Sequence, residues 1–273
     1  MSDPALVGMF DSGVGGFSVL RALRAILPAH PVLYVADQAH VPYGARPVEE
    51  VQAFSVGITR FLLDYGAEII VVACNTASAA ALHPLRAVFP SIPFVGMEPA
   101  VKPAAETTRT GRVGVLATPA TFQGALYASV VERFANGVQI FQDICPGLVA
   151  EIEAGQFTSS ETRRILEEAL APMLAEGIDT VVLGCTHYPF VIPTIEEISG
   201  PLVRVIDPAP AVARQIKRIL AQRGMLTEGG TPGRLSFFTS GDARAMTEML
   251  PVLLGEGSPV QSLVWDGEEI WIS

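Results

Sequence analysis

Two short stretches carry side chains able to move a proton or attack a carbon. "VVLGCTHYPF" (residues 181–190) runs from β-branched residues into Gly184, Cys185, Thr186 and His187. "VVACNTASAA" (71–80) runs in the same way into Cys74, Asn75 and Thr76. A thiol has an unperturbed pKa of about 8.5, so thiol and thiolate are both accessible near neutral pH. Proton transfer is most efficient from groups poised near the operating pH. One thiolate can take a proton from a carbon while a second thiol delivers one to the opposite face. That exchange inverts the centre, a two-base racemisation. His187 and Asp11 are candidate tuners, one for each thiol. Ser12, Asn75, Thr76 and Thr186, with the backbone N–H groups of a Gly-rich turn, offer neutral hydrogen bonds that suit an amino acid.

A single cysteine is more often a small buried hydrophobe than a catalyst. It is the pairing of two that argues for chemistry. Cys145, in "DICPGL", has no such counterpart and reads as structural, as do His40 and His83. "FDSGVGGFS" (10–18) fits neither G-x-x-x-x-G-K-[ST] nor G-x-G-x-x-G, so it gives no support to nucleotide binding. Pyridoxal phosphate would need a Schiff-base lysine. The chain offers only Lys102, between prolines, and Lys217, within an amphipathic helix pattern. No C-x-x-C or H-E-x-x-H occurs to hold a metal. The expected chemistry is free of cofactor and metal.

The elements that must position these residues alternate. Strands are expected at 6–10, 32–36, 69–73 and 93–97, with helices at 16–27, 48–65 and 77–89. The pattern then restarts, with strands at 113–117, 138–142, 180–184 and 203–206 and helices at 121–135, 160–176 and 189–198. Such alternation implies βαβ units and parallel sheets. The restart is an internal repeat. "LLDYGAEIIVVACNT" (62–76) matches "MLAEGIDTVVLGCTH" (173–187), with Gly66 and Gly177 each eight residues before the cysteine. "VGMFDS" (7–12) similarly matches "VGVLAT" (113–118). The tail reads as a helix from "DPAPAVARQIKRIL", a strand in "RLSFFTSGD", a helix in "ARAMTEML" and two short strands. The expected organisation is a discontinuous first α/β domain, 1–98 plus 208–273, with a second α/β domain, 99–207, inserted. In open α/β sheets ligands bind beyond the carboxyl ends of the strands, where every polar cluster here falls. If the halves face each other, Cys74 and Cys185 approach a shared cleft from opposite sides.

Composition agrees. Hydrophobic residues make up 49% of the 273 and the mean hydropathy is +0.40, much of it in short Val/Ile/Leu runs. Runs of that kind suit strands buried on both faces. No stretch reaches the ~20 apolar residues of a membrane span. The first residues, "MSDPALVGMF", lack the basic and apolar regions of a targeting signal, which points to the cytoplasm. Three cysteines make no disulfide framework. A net charge of −10 argues against nucleic acid as a ligand, and an anion site would have to be built locally.

"FDSGVGG", "VPYG", "ACNTAS" and "GCTHYPF" together resemble the glutamate racemases of the cofactor-independent aspartate/glutamate racemase superfamily, in the same order and over nearly the whole chain. The resemblance implies two pseudo-symmetric α/β domains with mainly parallel sheets and an active site in the cleft between them. It implies Cys74 and Cys185 as acid/bases for opposite enantiomers, interconversion of L- and D-glutamate, supply of D-glutamate for peptidoglycan, and a homodimer. Carried over residue by residue, Asp11, Ser12, Pro42, Tyr43, Gly44, Asn75, Thr76, Thr186 and His187 fall on substrate-contacting or cysteine-assisting positions. Thr118 and Thr121, in "ATPAT", match a threonine pair. Glu153 lies where the family carries an acid assisting near the second cysteine. Aspartate racemases share the thiol pair but usually have Glu where His187 stands, which favours glutamate. A non-catalytic amino-acid-binding protein would not need both thiols. A topoisomerase-directed role has no specific support in the sequence. The short N-terminus lacks the extension that resembles a regulatory module in some relatives, so activation by a cell-wall precursor is not expected.

Overall fold

The computed structural model describes residues 4–273. The expectations that touch residues 1–3 lie outside the described residues. The chain forms two compact units, residues up to Met97 with Ala209–Ser273, and Glu98–Pro208.

The first unit begins with strand β1 (Val7–Asp11), helix α1 (Phe17–Ile26) and β2 (Val32–Ala36). A single 3-10 turn (Tyr43–Ala45), α2 (Val48–Asp64), β3 (Ile69–Val72), α3 (Asn75–Val88) and β4 (Phe94–Gly96) follow. Every residue of β1, β2 and β3 is buried, so unbroken apolar runs are what these central strands require. The second unit holds α4 (Val101–Thr107), β5 (Arg112–Ala117), α5 (Pro119–Gln123), α6 (Ala125–Phe134), β6 (Gln139–Asp143) and α7 (Leu148–Glu153). It continues with α8 (Ser160–Ala175), β7 (Thr180–Gly184), a 3-10 turn (Tyr188–Val191), α9 (Ile192–Ser199) and β8 (Arg204–Ile206). The chain then completes the first unit with α10 (Ala209–Gln222), β9 (Leu235–Thr239), α11 (Ala243–Leu254), β10 (Val260–Asp266) and β11 (Glu269–Ile272).

The fold is α/β with mainly parallel sheets. The seven-stranded sheet runs β11-β10-β9-β2-β1-β3-β4 and the four-stranded sheet β6-β5-β7-β8. Among the described residues only the β10–β11 hairpin is antiparallel. The order β2-β1-β3-β4 in one unit is repeated as β6-β5-β7-β8 in the other, which is the internal repeat expressed as topology. Gly66 and Gly177 show it locally. Both take a left-handed φ, +89° and +77°, where the chain leaves a helix and turns into the strand. A side chain is strained there, and glycine is not.

Four elements depart from the sequence expectation. The helix expected over 121–135 starts earlier, where Thr118 caps α5 with Pro119 at its first position, and it divides into α5 and α6 because Gly124 is extended (φ −70°, ψ 138°). The helix expected over 189–198 opens as a 3-10 turn, since Pro189 and Pro193 have no N–H to donate. Helices α4 and α7, of seven and six residues, are too short to show a helical period. Among the described residues no helix is long and apolar enough to cross a membrane.

Candidate active site

In a sheet ordered β2-β1-β3-β4 the connections leave in opposite directions from β1 and β3, and their carboxyl ends mark the switch point where ligands bind. In the first unit Asp11 closes β1, while Cys74 follows β3 and caps α3. Strand pairing sets them level: Phe10 lies opposite Val72, and the Ala73 N–H donates to the Phe10 carbonyl (2.8 Å). Asp11 is fully buried, and its carboxylate accepts from the Ser12 N–H (2.7 Å) and the Gly16 N–H (2.5 Å). The turn "DSGVGG" therefore converges its backbone donors on Asp11. The Tyr34 hydroxyl steadies that turn by donating to the Gly13 carbonyl (2.8 Å).

Cys74 is 5% exposed, and its Sγ accepts from the Ala77 N–H (3.4 Å) at the start of α3. A helix N-terminus favours a thiolate through its N–H groups and dipole. Asn75 and Thr76, both 4% exposed, occupy the first turn. The Asn75 amide is buried with neither its oxygen nor its nitrogen hydrogen-bonded among the described residues. A buried amide left without partners costs about 1–3 kcal/mol, so this side chain has the character of a ligand-binding group.

Tyr43 is buried and donates to Asp37 Oδ2 (2.6 Å). Burial first, then the charge and hydrogen bond of Asp37, then the charges of Cys74 and Asp11, push the phenol well above its usual value. Tyr43 thus sits among the acidic groups of this strand-end cluster. Gly44 is half-buried beside it; Pro42, joined to Val41 by a cis peptide, is exposed.

In the second unit Thr118 follows β5 and Cys185 follows β7. Ala117 pairs with Gly184, so the two residues leave adjacent strand ends side by side. Thr118 caps α5 and its hydroxyl lies 3.0 Å from that of Thr121. Cys185, Thr186 and His187 are all buried. Cys185 Sγ lies 3.6 Å from His187 Nδ1, and His187 Nε2 lies 2.6 Å from Glu153 Oε1 at the end of α7. These contacts form a relay of thiol, imidazole and carboxylate. Burial alone would lower the His187 pKa, but hydrogen bonds to Cys185 and Glu153 and their charges outweigh it and hold the ring well above its usual value. A protonated His187 can donate to Cys185 at Nδ1 and to Glu153 at Nε2 together. Both ring nitrogens are then used, one on the thiol and one on the carboxylate.

Cys145 has a different setting. It is buried, and burial, followed by the charges of Asp143 and Cys185, pushes its thiol up, away from reactivity. None of the three cysteines is disulfide-bonded.

Sequence reasoning passed over Asp37. This fully buried carboxylate accepts from Tyr43, from His40 Nδ1 (2.9 Å), from Ser240 Oγ (2.7 Å) and from Trp265 Nε1 (2.8 Å). The available signal was its place one residue beyond β2, close to the position Asp11 holds at the end of β1. His40 also stacks on Phe54 at 3.8 Å.

Comparison with known proteins agrees with these motifs. A family model described as Asp/Glu/Hydantoin racemase matches residues 18–216. A glutamate racemase of Pseudomonas aeruginosa is 51% identical over 264 residues, 96% of this chain and 98% of that one. The structure resembles a glutamate racemase of Bacillus anthracis, with a TM-score of 0.86, 32% identity and coverage of 98% of this chain and 100% of that one. It also resembles the Escherichia coli glutamate racemase solved with L-glutamate and the activator UDP-MurNAc-ala (TM-score 0.83, 32% identity, 99% of each chain).

Proposed function

Because this chain belongs to the Asp/Glu/hydantoin racemase family, we propose that it interconverts L- and D-glutamate without a cofactor, with Cys74 and Cys185 as the two bases. The observation that carries the reading is the buried relay Cys185–His187–Glu153, with the thiol 3.6 Å from an imidazole that itself lies 2.6 Å from a carboxylate. A structural cysteine needs no such chain of titratable partners. Cys74, at the equivalent strand end of the repeated topology, has its Sγ on a helix N-terminus.

In the forward reaction one thiolate removes the α-proton and becomes a thiol. The electron pair passes to the α-carbon and its carboxylate. The second thiol then gives its proton to the opposite face and becomes a thiolate. Protonation states of the two cysteines are exchanged, and the enantiomer is inverted. His187 donates at Nδ1 to Cys185 Sγ, and Glu153 holds the ring by accepting at Nε2. Asp11 is the acidic partner on the Cys74 side. The Asn75 amide can accept from the substrate ammonium and donate to a carboxylate. Ser12, Thr76, Thr118, Thr121 and Thr186, with Pro42, Tyr43 and Gly44, complete the substrate contacts. Positioned acid–base groups of this type contribute about a hundredfold to ten-thousandfold.

The corresponding role is supply of D-glutamate for peptidoglycan, by a cytoplasmic homodimer. The test is proton NMR of the purified protein in D₂O, without added cofactor, with L-glutamate and separately with L-aspartate. Loss of the α-proton signal with glutamate, together with appearance of the D-enantiomer, is the expected result. Exchange with aspartate alone would transfer the assignment to the sister activity. Silence with both would overturn the racemase reading.

A further inference from the structure

The relay in the second unit joins two separate pieces of chain. Cys185 and His187 lie on the turn after β7. Glu153 ends α7, 34 positions earlier. A 2.6 Å contact between His187 and Glu153 needs α7 held in register with that turn. Strand pairing cannot do this, because neither residue is in a strand.

The end of α7 that carries the acid is tied to the next segment of chain. Ser159 Oγ donates to Glu151 Oε2 (2.7 Å), and the Gln156 N–H donates to the Glu151 carbonyl (2.8 Å). The start of α7 is tied elsewhere. Tyr188, immediately after His187, is fully buried, and its N–H donates to the Cys185 carbonyl (3.2 Å). Its ring reaches the segment that feeds α7, where its hydroxyl donates to the Ile144 carbonyl (3.4 Å) and meets the Cys145 thiol.

That segment is built in an uncommon way. Cys145 has φ +43° and is the one non-glycine residue with a positive φ among the described residues. A non-glycine side chain is disfavoured there by about 1 kcal/mol or more. The bend is held by the Cys145 N–H donating to Asp143 Oδ1 (2.7 Å) and the Leu148 N–H donating to the Cys145 carbonyl (3.1 Å). It presents the Ile144 carbonyl and the Cys145 thiol to one phenol and leads directly into α7.

We propose that Tyr188 is a positioning residue that pins the entrance of α7 to the Cys185 turn and so sets the His187–Glu153 contact. The inference rests on the racemase reading for its kinetic consequence and on the geometry alone for the contact. Tyr188 touches no reacting atom in this role. It acts through Glu153 and His187, and therefore on the Cys185 half of the reaction and not on Cys74.

The test uses Y188F, which keeps the buried ring and removes the hydroxyl. Because the equilibrium constant between enantiomers is one, kcat/KM falls equally in both directions. We expect a fall of about threefold to tenfold, the scale of one modest hydrogen bond. The isotope effects separate the halves. The substrate α-deuterium effect should rise for the enantiomer that Cys185 deprotonates, and the solvent deuterium effect should rise for the other. A purely structural role would reduce the amount of active protein and leave both effects unchanged, and that result would overturn the proposal. C145G removes the thiol while suiting the positive φ, so it is the second variant. Its effect should have the same direction and should not add fully to that of Y188F.

A second measurement does not depend on turnover. The downfield imidazole proton NMR signal, assigned to His187 by its absence in H187N, should move upfield in Y188F. If it stays in place, the pin is overturned. If the unaltered protein turns over neither glutamate nor aspartate but the signal moves, the pin stands and the racemase reading fails.

Discussion

At the residue scale the proposed chemistry depends on the acidity of sulfur. A serine hydroxyl is far less acidic than a thiol, so Cys74→Ser and Cys185→Ser should fold normally and racemise glutamate about a hundredfold to ten-thousandfold more slowly. Alanine at either position should abolish turnover. Normal rates in either alanine variant, measured by polarimetry, would exclude the two-base mechanism. His187→Asn should lower kcat by about tenfold to a hundredfold, the scale of a charge-assisted hydrogen bond. The pH dependence has a defined sign. The folded-state pKa of His187 is raised above the unfolded value of about 6.5. Its stabilising contribution is therefore fully present below about pH 6.5 and is lost as pH rises through the raised folded value. Urea melts from about pH 6.5 upward should show His187→Asn losing the slope that the unaltered protein has.

Single elements carry their own tests. Gly184 ends β7 just before Cys185, and a Cβ built there would lie 2.7 Å from Ala117 Cβ and 3.2 Å from the Leu116 carbonyl oxygen. Both belong to the neighbouring strand and cannot swing aside. Gly184→Ala should cost about 1–3 kcal/mol of stability and displace Cys185, so kcat/KM should fall along with the denaturation midpoint. A variant of unchanged stability and activity would show that β5 and β7 can part at no cost.

The turn before β7 is held by Asp179. Burial would raise its pKa, but hydrogen bonds from Thr108, from the backbone of Arg109 and Thr110, and from Thr180 hold it down to about 2. Its contribution is present above about pH 4, the unfolded value, and is lost as pH falls toward 2. With allowance for solvent screening it is worth about 1 kcal/mol. Asp179→Asn should remove that much near neutral pH and flatten the acid limb of the stability curve. An unchanged acid limb would contradict the assignment.

At the scale of the whole molecule, the tail beyond the second unit matters to the cluster around Cys74 through Asp37. β9 pairs with β2, and the chain beyond it supplies Ser240 and Trp265 to the same carboxylate that accepts from Tyr43. Asp37→Ala would leave the buried Tyr43 hydroxyl and the half-buried His40, Ser240 and Trp265 donors without this acceptor. A loss of about 3 kcal/mol or more is expected, read as a lower urea midpoint for the first unit. A midpoint within error of the unaltered protein would mean that these donors find other partners.

Much of this protein is legible along the chain because the signals are local or repeated. Short apolar runs mark β1, β3, β5 and β7, whose residues are almost all buried. The repeat that places Cys74 and Cys185 after equivalent strands appears in the alignment of "GAEIIVVACNT" with "GIDTVVLGCTH". The motifs around them were enough to suggest the family and most of the candidate site residues. Other features required the folded chain. Glu153, which the resemblance alone set near the second cysteine, is joined to His187 across 34 positions, and Asp37 to Trp265 across 228. No spacing rule links such pairs. Helix α7, which carries Glu153, is shorter than two helical turns and has no period to read. Residue types and periodicity record what each segment needs from its immediate surroundings, buried or exposed, helical or extended. A hydrogen bond between distant segments is recorded in neither, because its partner is chosen only when packing brings the two surfaces together.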